Sequence, residues 1–290
     1  MHPRLQFTSP PAFPMSTKLL SSLPQLRRLF TFSALTAIFF SINPFNPSWS
    51  SDQRPVSTAL DRRPWKDARH AFKGPTDEDA RSPCPALNTL ANHGFINRSG
   101  KEISRSALTS SLTSIYRLSV PLAELLVTGG FLCCADFESE GLSLDALAAH
   151  DKIEHDASLV HDNTPLGAAF APIKVNWTLV NELTTKYPDG LGIRRLSEAR
   201  ATREELSRVE GRPKLDALHG QIAYGEAALT WLVMKDLTSL VRTDTIRQWF
   251  GQETFPETFV IPSEEITLHT TSKISSKIGQ HMKEFQNHQI

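Results

Sequence analysis

Cysteine is scarce in this 290-residue chain, which holds only Cys84, Cys133 and Cys134. Three thiols, two of them adjacent, exclude a disulfide framework and leave cysteine to ligand or nucleophile chemistry. Net charge is missing too, because 31 Lys and Arg offset 31 Asp and Glu. That balance gives no electrostatic footprint for nucleic acid or an anionic membrane surface, so neither is expected as a partner. No internal repeat is visible, and clean alternation of apolar with polar residues is rare, which argues against a β architecture. The first apolar block, Leu29–Ile42, would rise about 21 Å as a helix, short of the ~30 Å hydrocarbon core. What remains is ordinary globular material, 40% hydrophobic and 21% charged, and disorder throughout is ruled out.

Arg27-Arg28 precedes the Leu29–Ile42 block, and a basic flank before a short apolar run is the pattern of a secretory leader. Residues 1–45 are therefore expected to be a signal peptide or, if retained, an N-terminal membrane anchor. Met15 as the true start would shorten the long flank. Residues 46–64 turn to Pro, Ser, Asn and Arg and read as a linker. Sequons at Asn97 and Asn176 agree with a secreted glycoprotein. Residues 263–290 are polar without strong periodicity and are expected to be an appended tail. Between these ends, Leu108, Leu112, Ile115 and Leu118 recur at helical steps, as do Ile222, Leu229 and Val233. Glycines and prolines, Gly129-Gly130 among them, punctuate the segment at helix lengths. The expectation is an all-α fold, one helical domain over residues 65–262.

Three local features carry chemistry. In Ser82-Pro83-Cys84-Pro85, Pro85 suits the first turn of a helix and Gly94 the position after its end. Cys84 then stands at the N-cap, where the helix dipole contributes about 0.3–1 kcal/mol towards an anion, enough to favour a thiolate without creating one. In Glu154-His155-Asp156-Ala157-Ser158, Glu and Ser are hard oxygen donors suited to Mg²⁺, Mn²⁺ or Ca²⁺. His150, His161 and Asp162 lie nearby, in a spacing that satisfies no zinc signature. Finally, Ile222, Glu226, Leu229 and Val233 fall on one helical stripe, which puts a carboxylate in a core-facing row. Desolvation there makes it a candidate general acid or base, and Arg212 or Lys214 a candidate salt-bridge partner.

Together these segments resemble the fungal heme-thiolate peroxidases, the family of chloroperoxidase and the unspecific peroxygenases. Pro83-Cys84-Pro85 is similar to the proximal motif, Glu154-His155-Asp156-x-Ser158 to the cation motif, and Ala223-Tyr224-Gly225-Glu226 to the distal segment. Their order agrees, with 70 residues from Cys84 to Glu154 and 71 from His155 to Glu226. Trp249-Phe250-Gly251-Gln252-Glu253-Thr254-Phe255-Pro256 resembles the segment that closes the family domain.

The resemblance implies heme b with Cys84 as axial thiolate. It also implies Mg²⁺ or Mn²⁺ on Glu154, Ser158 and the His155 carbonyl, and Glu226 as distal acid–base, oriented by the His155 imidazole. Hydrogen peroxide and a small organic substrate would be the reactants, with oxygenation and halogenation both open. His219 stands where the longer peroxygenases carry an arginine, and with His155 it marks the short, histidine-containing branch. Cys133 and Cys134 are expected to be buried core thiols. Other readings are a heme-binding secreted protein without turnover, a dedicated secondary-metabolite oxidase, and a metal hydrolase on His150, Glu154, His155 and His161.

Overall fold

The computed structural model describes residues 63–135 and 139–288, all of them within the unit Pro44–Ile290. The expected leader or anchor, and all but the last two residues of the expected linker, lie outside the described residues. Among those described, regular structure consists of eight α-helices, short helical turns and a few isolated β-bridges, with no strand or sheet. The fold is all-α.

Helix α1 (Pro85–Asn92) begins on a proline whose missing N–H would be unpaired anyway, and it ends before Gly94 at φ 70°. Helix α2 (Arg105–Ile115) is capped by Ser104, whose side chain accepts the Ala107 N–H at 3.2 Å. Leu108, Leu112 and Ile115 bury one face of it. Leu118 lies beyond the helix end and pairs with Ile266 in an isolated bridge. Helix α3 (Val120–Cys134) packs against α2.

Gly129-Gly130 lie inside α3 and do not punctuate. A Cβ on Gly130 would meet Leu142 and Leu147 at 3.7 Å. Close packing of an apolar helix outweighs the roughly 1 kcal/mol that a helical glycine costs. Cys133 and Cys134 are free thiols at the end of α3, half-buried instead of sealed in the core. Burial still pushes the Cys134 thiol up to about 12.

Asn176 caps α4 (Trp177–Lys186), its side-chain oxygen accepting the Thr178 and Leu179 N–H groups at 2.8 and 3.3 Å. Then come α5 (Ile193–Val209), α6 (Ala217–Met234) and the single turn α7 (Thr243–Ile246). A π-helical turn, Arg247–Gly251, continues from α7. It brings Gly251 so close to Trp177 that a Cβ there would fall 2.5 Å from the indole.

The segment expected to be an appended tail forms α8 (Leu268–Asn287), which packs on α5 and α6. Thr271, Ile274, Ser275, Ile278 and Met282 make a buried stripe along it. Small hydroxyl residues fill part of that stripe, which hides its period from a reading based on hydrophobicity. Among the described residues no helix is long and apolar enough to cross a membrane.

Candidate active site

Cys84 and Glu226 come from opposite ends of the domain sequence. Cys84 is the N-cap of α1 at φ −91°, ψ 107°. The Leu87 and Ala86 backbone N–H groups face its sulfur and favour the anion, as an N-terminal helix turn should. Burial outweighs them and pushes the thiol up to about 11, with the Glu226 and Glu253 carboxylates adding to the rise. The Glu226 charge therefore reaches the Cys84 sulfur.

Glu226 does not sit in the packed face of α6, which Ala223, Ala227, Ala228, Thr230 and Trp231 provide. Its side chain is 59% exposed. Cys84 likewise keeps accessible surface. Yet surrounding protein strongly desolvates both groups.

Glu226 pairs with His155, and neither Arg212 nor Lys214 takes part. His155 Nε2 lies 3.5 Å from Glu226 Oε2, an ion-pair separation, with the imidazole buried. His155 Nδ1 lies 2.7 Å from the Asp156 carbonyl, which can only accept, so Nδ1 carries a proton. Burial works against both charges of the pair. Their mutual attraction overcomes it, leaving the Glu226 carboxyl below the usual range and His155 above its own.

The remaining predicted donors form separate pairs. Glu154 Oε2 lies 2.8 Å from His150 Nδ1, and burial raises the Glu154 carboxyl against that bond. Ser158 Oγ lies 3.2 Å from His161 Nδ1. Among the described residues no group of three or more His, Cys, Asp or Glu could hold a metal ion. The hydrolytic site on His150, Glu154, His155 and His161 is therefore not formed, while Glu154 and Ser158 each face a histidine.

Residues 70–264, about two thirds of the chain, match the family model described as "Peroxidase, family 2". The chain belongs to that family. It is 29% identical over 208 residues to the chloroperoxidase of Leptoxyphium fumago, covering 63% of this chain and 54% of that protein. It is 39% identical over 64 residues to the aromatic peroxidase fscJ of Fusarium equiseti, covering 21% of this chain and 14% of that one. With the dothistromin biosynthesis peroxidase dotB of Dothistroma septosporum it shares 36% over 63 residues, 22% of this chain and 14% of that one. The chain thus spans about half the length of the chloroperoxidase, and far less of the other two.

Several residues that hold this site together have no role in the reading from sequence. Arg200 Nη1 donates to the Ala157 carbonyl at 2.6 Å, and Arg203 Nε to the Ser158 carbonyl at 2.7 Å. Asn163 Oδ1 accepts the Ala157 N–H at 2.7 Å, holding Ala157 at φ 65°. Asp156 Oδ1 accepts the Thr164 N–H, also at 2.7 Å. The loop that presents His155 is thus clamped from both sides. Two arginines three apart in one helix are the only sequence trace of this, and such a pair reads as a solvated face. His219 is buried beside the site, its ring 6.4 Å from that of His155 and its Nδ1 3.0 Å from the α6 cap Asp216.

Proposed function

We propose that this chain is a heme-thiolate enzyme that uses hydrogen peroxide to oxidise a small organic substrate, with Cys84 as the residue that would hold heme b and Glu226 as the acid–base group. The observation that supports the reading is that the Glu226 carboxylate, 142 residues from Cys84 in sequence, lies near enough for its charge to raise the pKa of the Cys84 thiol. The donor set at Cys84 fits the group. Backbone N–H groups already face the sulfur, and a thiol held up to about 11 needs a cation such as heme iron to become a thiolate at neutral pH. When bound, the heme supplies the redox chemistry, electron donation from the sulfur favouring O–O cleavage.

On the distal side Glu226 is the acid–base. Its lowered pKa leaves it ionised at neutral pH and able to take a proton from peroxide. The same oxygen then returns that proton to the departing hydroxide. His155 holds the carboxylate in place, because its Nδ1–H is fixed on the Asp156 carbonyl and its Nε2 turned to Glu226. No step is assigned to Mg²⁺ or Mn²⁺. The Fusarium relative is an aromatic peroxidase and the Dothistroma relative a dothistromin biosynthesis peroxidase, which favours an aromatic substrate in a biosynthetic sequence. The expected leader or anchor would place the enzyme in the secretory pathway.

The test is an absorption spectrum of the heme-loaded protein with dithionite and carbon monoxide. A Soret band shifted to long wavelength is expected, and its loss in Cys84→Ala. Glu226→Gln should keep the band while peroxide-dependent turnover falls by roughly 10²–10⁴. Full turnover in that variant would remove Glu226 from the mechanism.

A further inference from the structure

The chain after the π turn returns to the helix that carries Cys84. Glu253 sits at φ 52°, a left-handed conformation that a long side chain adopts only when its surroundings impose it. Two bonds impose it here. Asn88 Nδ2 donates to Glu253 Oε1 at 2.6 Å, and Asn92 Nδ2 donates to the Glu253 carbonyl at 3.0 Å. Asn88 and Asn92 are one turn apart on the same face of α1.

Asn88 is fully committed on its other side as well. Its Nδ2 donates to the Ser82 carbonyl at 2.7 Å, and its Oδ1 accepts the Ser82 N–H at 2.9 Å. The Ser82 hydroxyl then accepts the Cys84 N–H at 3.2 Å. A chain of polar contacts runs from Glu253 through Asn88 and Ser82 to the backbone of Cys84. The carboxylate braces the orientation that Ser82 also requires, because its Oε1 accepts from the NH₂ end of the Asn88 amide and would face the amide oxygen if that amide were flipped. A flipped amide would set oxygen against the Ser82 carbonyl and NH₂ against the Ser82 N–H, breaking both bonds to Ser82.

We infer that Glu253 is a positioning residue for Cys84, orienting the Asn88 amide so that the Ser82–Cys84 backbone, and with it the sulfur, is held in one direction. The inference rests on the reading of Cys84 as the heme ligand. The Glu253 charge also reaches the sulfur and raises its pKa, which places the carboxylate close behind the ligand.

The test compares Glu253→Ala with Glu253→Gln, whose amide oxygen can still accept from Asn88. The first readout is how fast the ferrous–CO complex of the heme-loaded protein loses its long-wavelength band for a short-wavelength one. Glu253→Ala should speed that loss by about tenfold, as expected for one buried hydrogen bond, and Glu253→Gln should stay within about threefold of the unsubstituted protein. The second readout is amide hydrogen exchange at Ser82, Cys84 and Asn88 in heme-free protein, where protection should fall in Glu253→Ala and persist in Glu253→Gln.

Unchanged band and protection in Glu253→Ala would overturn the inference, as would equal losses in both variants, which would point to charge instead of orientation. If Glu253→Ala does not accumulate, Asn88→Asp replaces it, being of the same shape but unable to donate. Unsubstituted behaviour there overturns the inference equally. Absence of the long-wavelength band in the unsubstituted protein would defeat the heme-ligand reading instead, and the hydrogen-exchange comparison would still judge Glu253.

Discussion

The hydrogen bond from His155 Nδ1–H to the Asp156 carbonyl limits what the other side of the ring can do. With that proton fixed, His155 Nε2 is the nitrogen that faces Glu226 Oε2, at 3.5 Å, and their attraction raises the imidazole pKa and lowers that of the carboxyl. Leucine at position 155 can hold no proton and offers no donor. His155→Leu should therefore keep the heme spectrum and lower kcat by roughly ten- to a hundredfold, with the KM for peroxide little changed. Steady-state kinetics at several peroxide concentrations check this, and an unchanged kcat would mean that Glu226 works without its partner. Cys84, His155 and Glu226 were legible in the sequence because each breaks a local rule: a thiol between prolines, a run of ionisable residues, a charge in an apolar stripe. Asn88 and Glu253 break no rule. An asparagine in a short helix and a glutamate after a glutamine look like solvated residues until the fold puts them 2.6 Å apart.

Among the elements, α1 and α6 could be read closely, since caps, prolines and the 3.6-residue period all agree there. The error on α6 was one of rotation. Glu226 is exposed where the stripe predicts core, and periodicity alone does not say which of two adjoining faces a helix packs. Helix α8 could not be read, because threonine and serine occupy buried positions that a hydrophobic period would need. Those hydroxyls fold back on the helix, as Thr271 does on the Thr267 carbonyl at 2.9 Å, so their burial leaves that polar group paired. Since α8 packs on the helices carrying Arg200 and Glu226, its core residues should matter to the whole domain. Ile278→Ala is expected to cost about 2–5 kcal/mol in urea unfolding, while Lys277→Ala on the exposed side stays within about 0.5 kcal/mol. Equal effects at the two positions would contradict the packing of α8.

Across the whole molecule, early and late segments are joined through His93. Its Nδ1 lies 2.7 Å from the His70 carbonyl, while His70 Nδ1 lies 2.9 Å from the His93 carbonyl, a reciprocal clasp. His93 Nε2 lies 2.9 Å from the Thr254 hydroxyl and accepts the Phe255 N–H at 3.4 Å. Burial, first of all, holds the pKa of His93 below its usual value. A proton on Nε2 would also turn an acceptor into a donor facing the Phe255 N–H. The unfolded chain, by contrast, takes up that proton near the ordinary histidine pKa of about 6.5. Below that pH the unfolded state binds more protons, so the stability contributed by neutral His93 is present above it and is lost progressively as the solution is acidified. Unfolding curves from pH 7.5 down to 5.5 should show that decline, and His93→Gln should flatten it. An equally steep decline in the variant would assign the acid sensitivity to other groups.

The π turn at Arg247–Gly251 has a consequence for how this region tolerates change in length. It holds one residue more than an α-helical turn, as the bond from the Gln252 N–H to the Arg247 carbonyl at 3.0 Å records. Deleting a single residue within it would restore ordinary winding and leave the chain downstream in phase, because the wide turn already absorbs that residue. A deletion from the regular winding of α7 would instead swing everything downstream by about 100° about the axis. The carboxylate behind the thiol would then be the first group to miss its target.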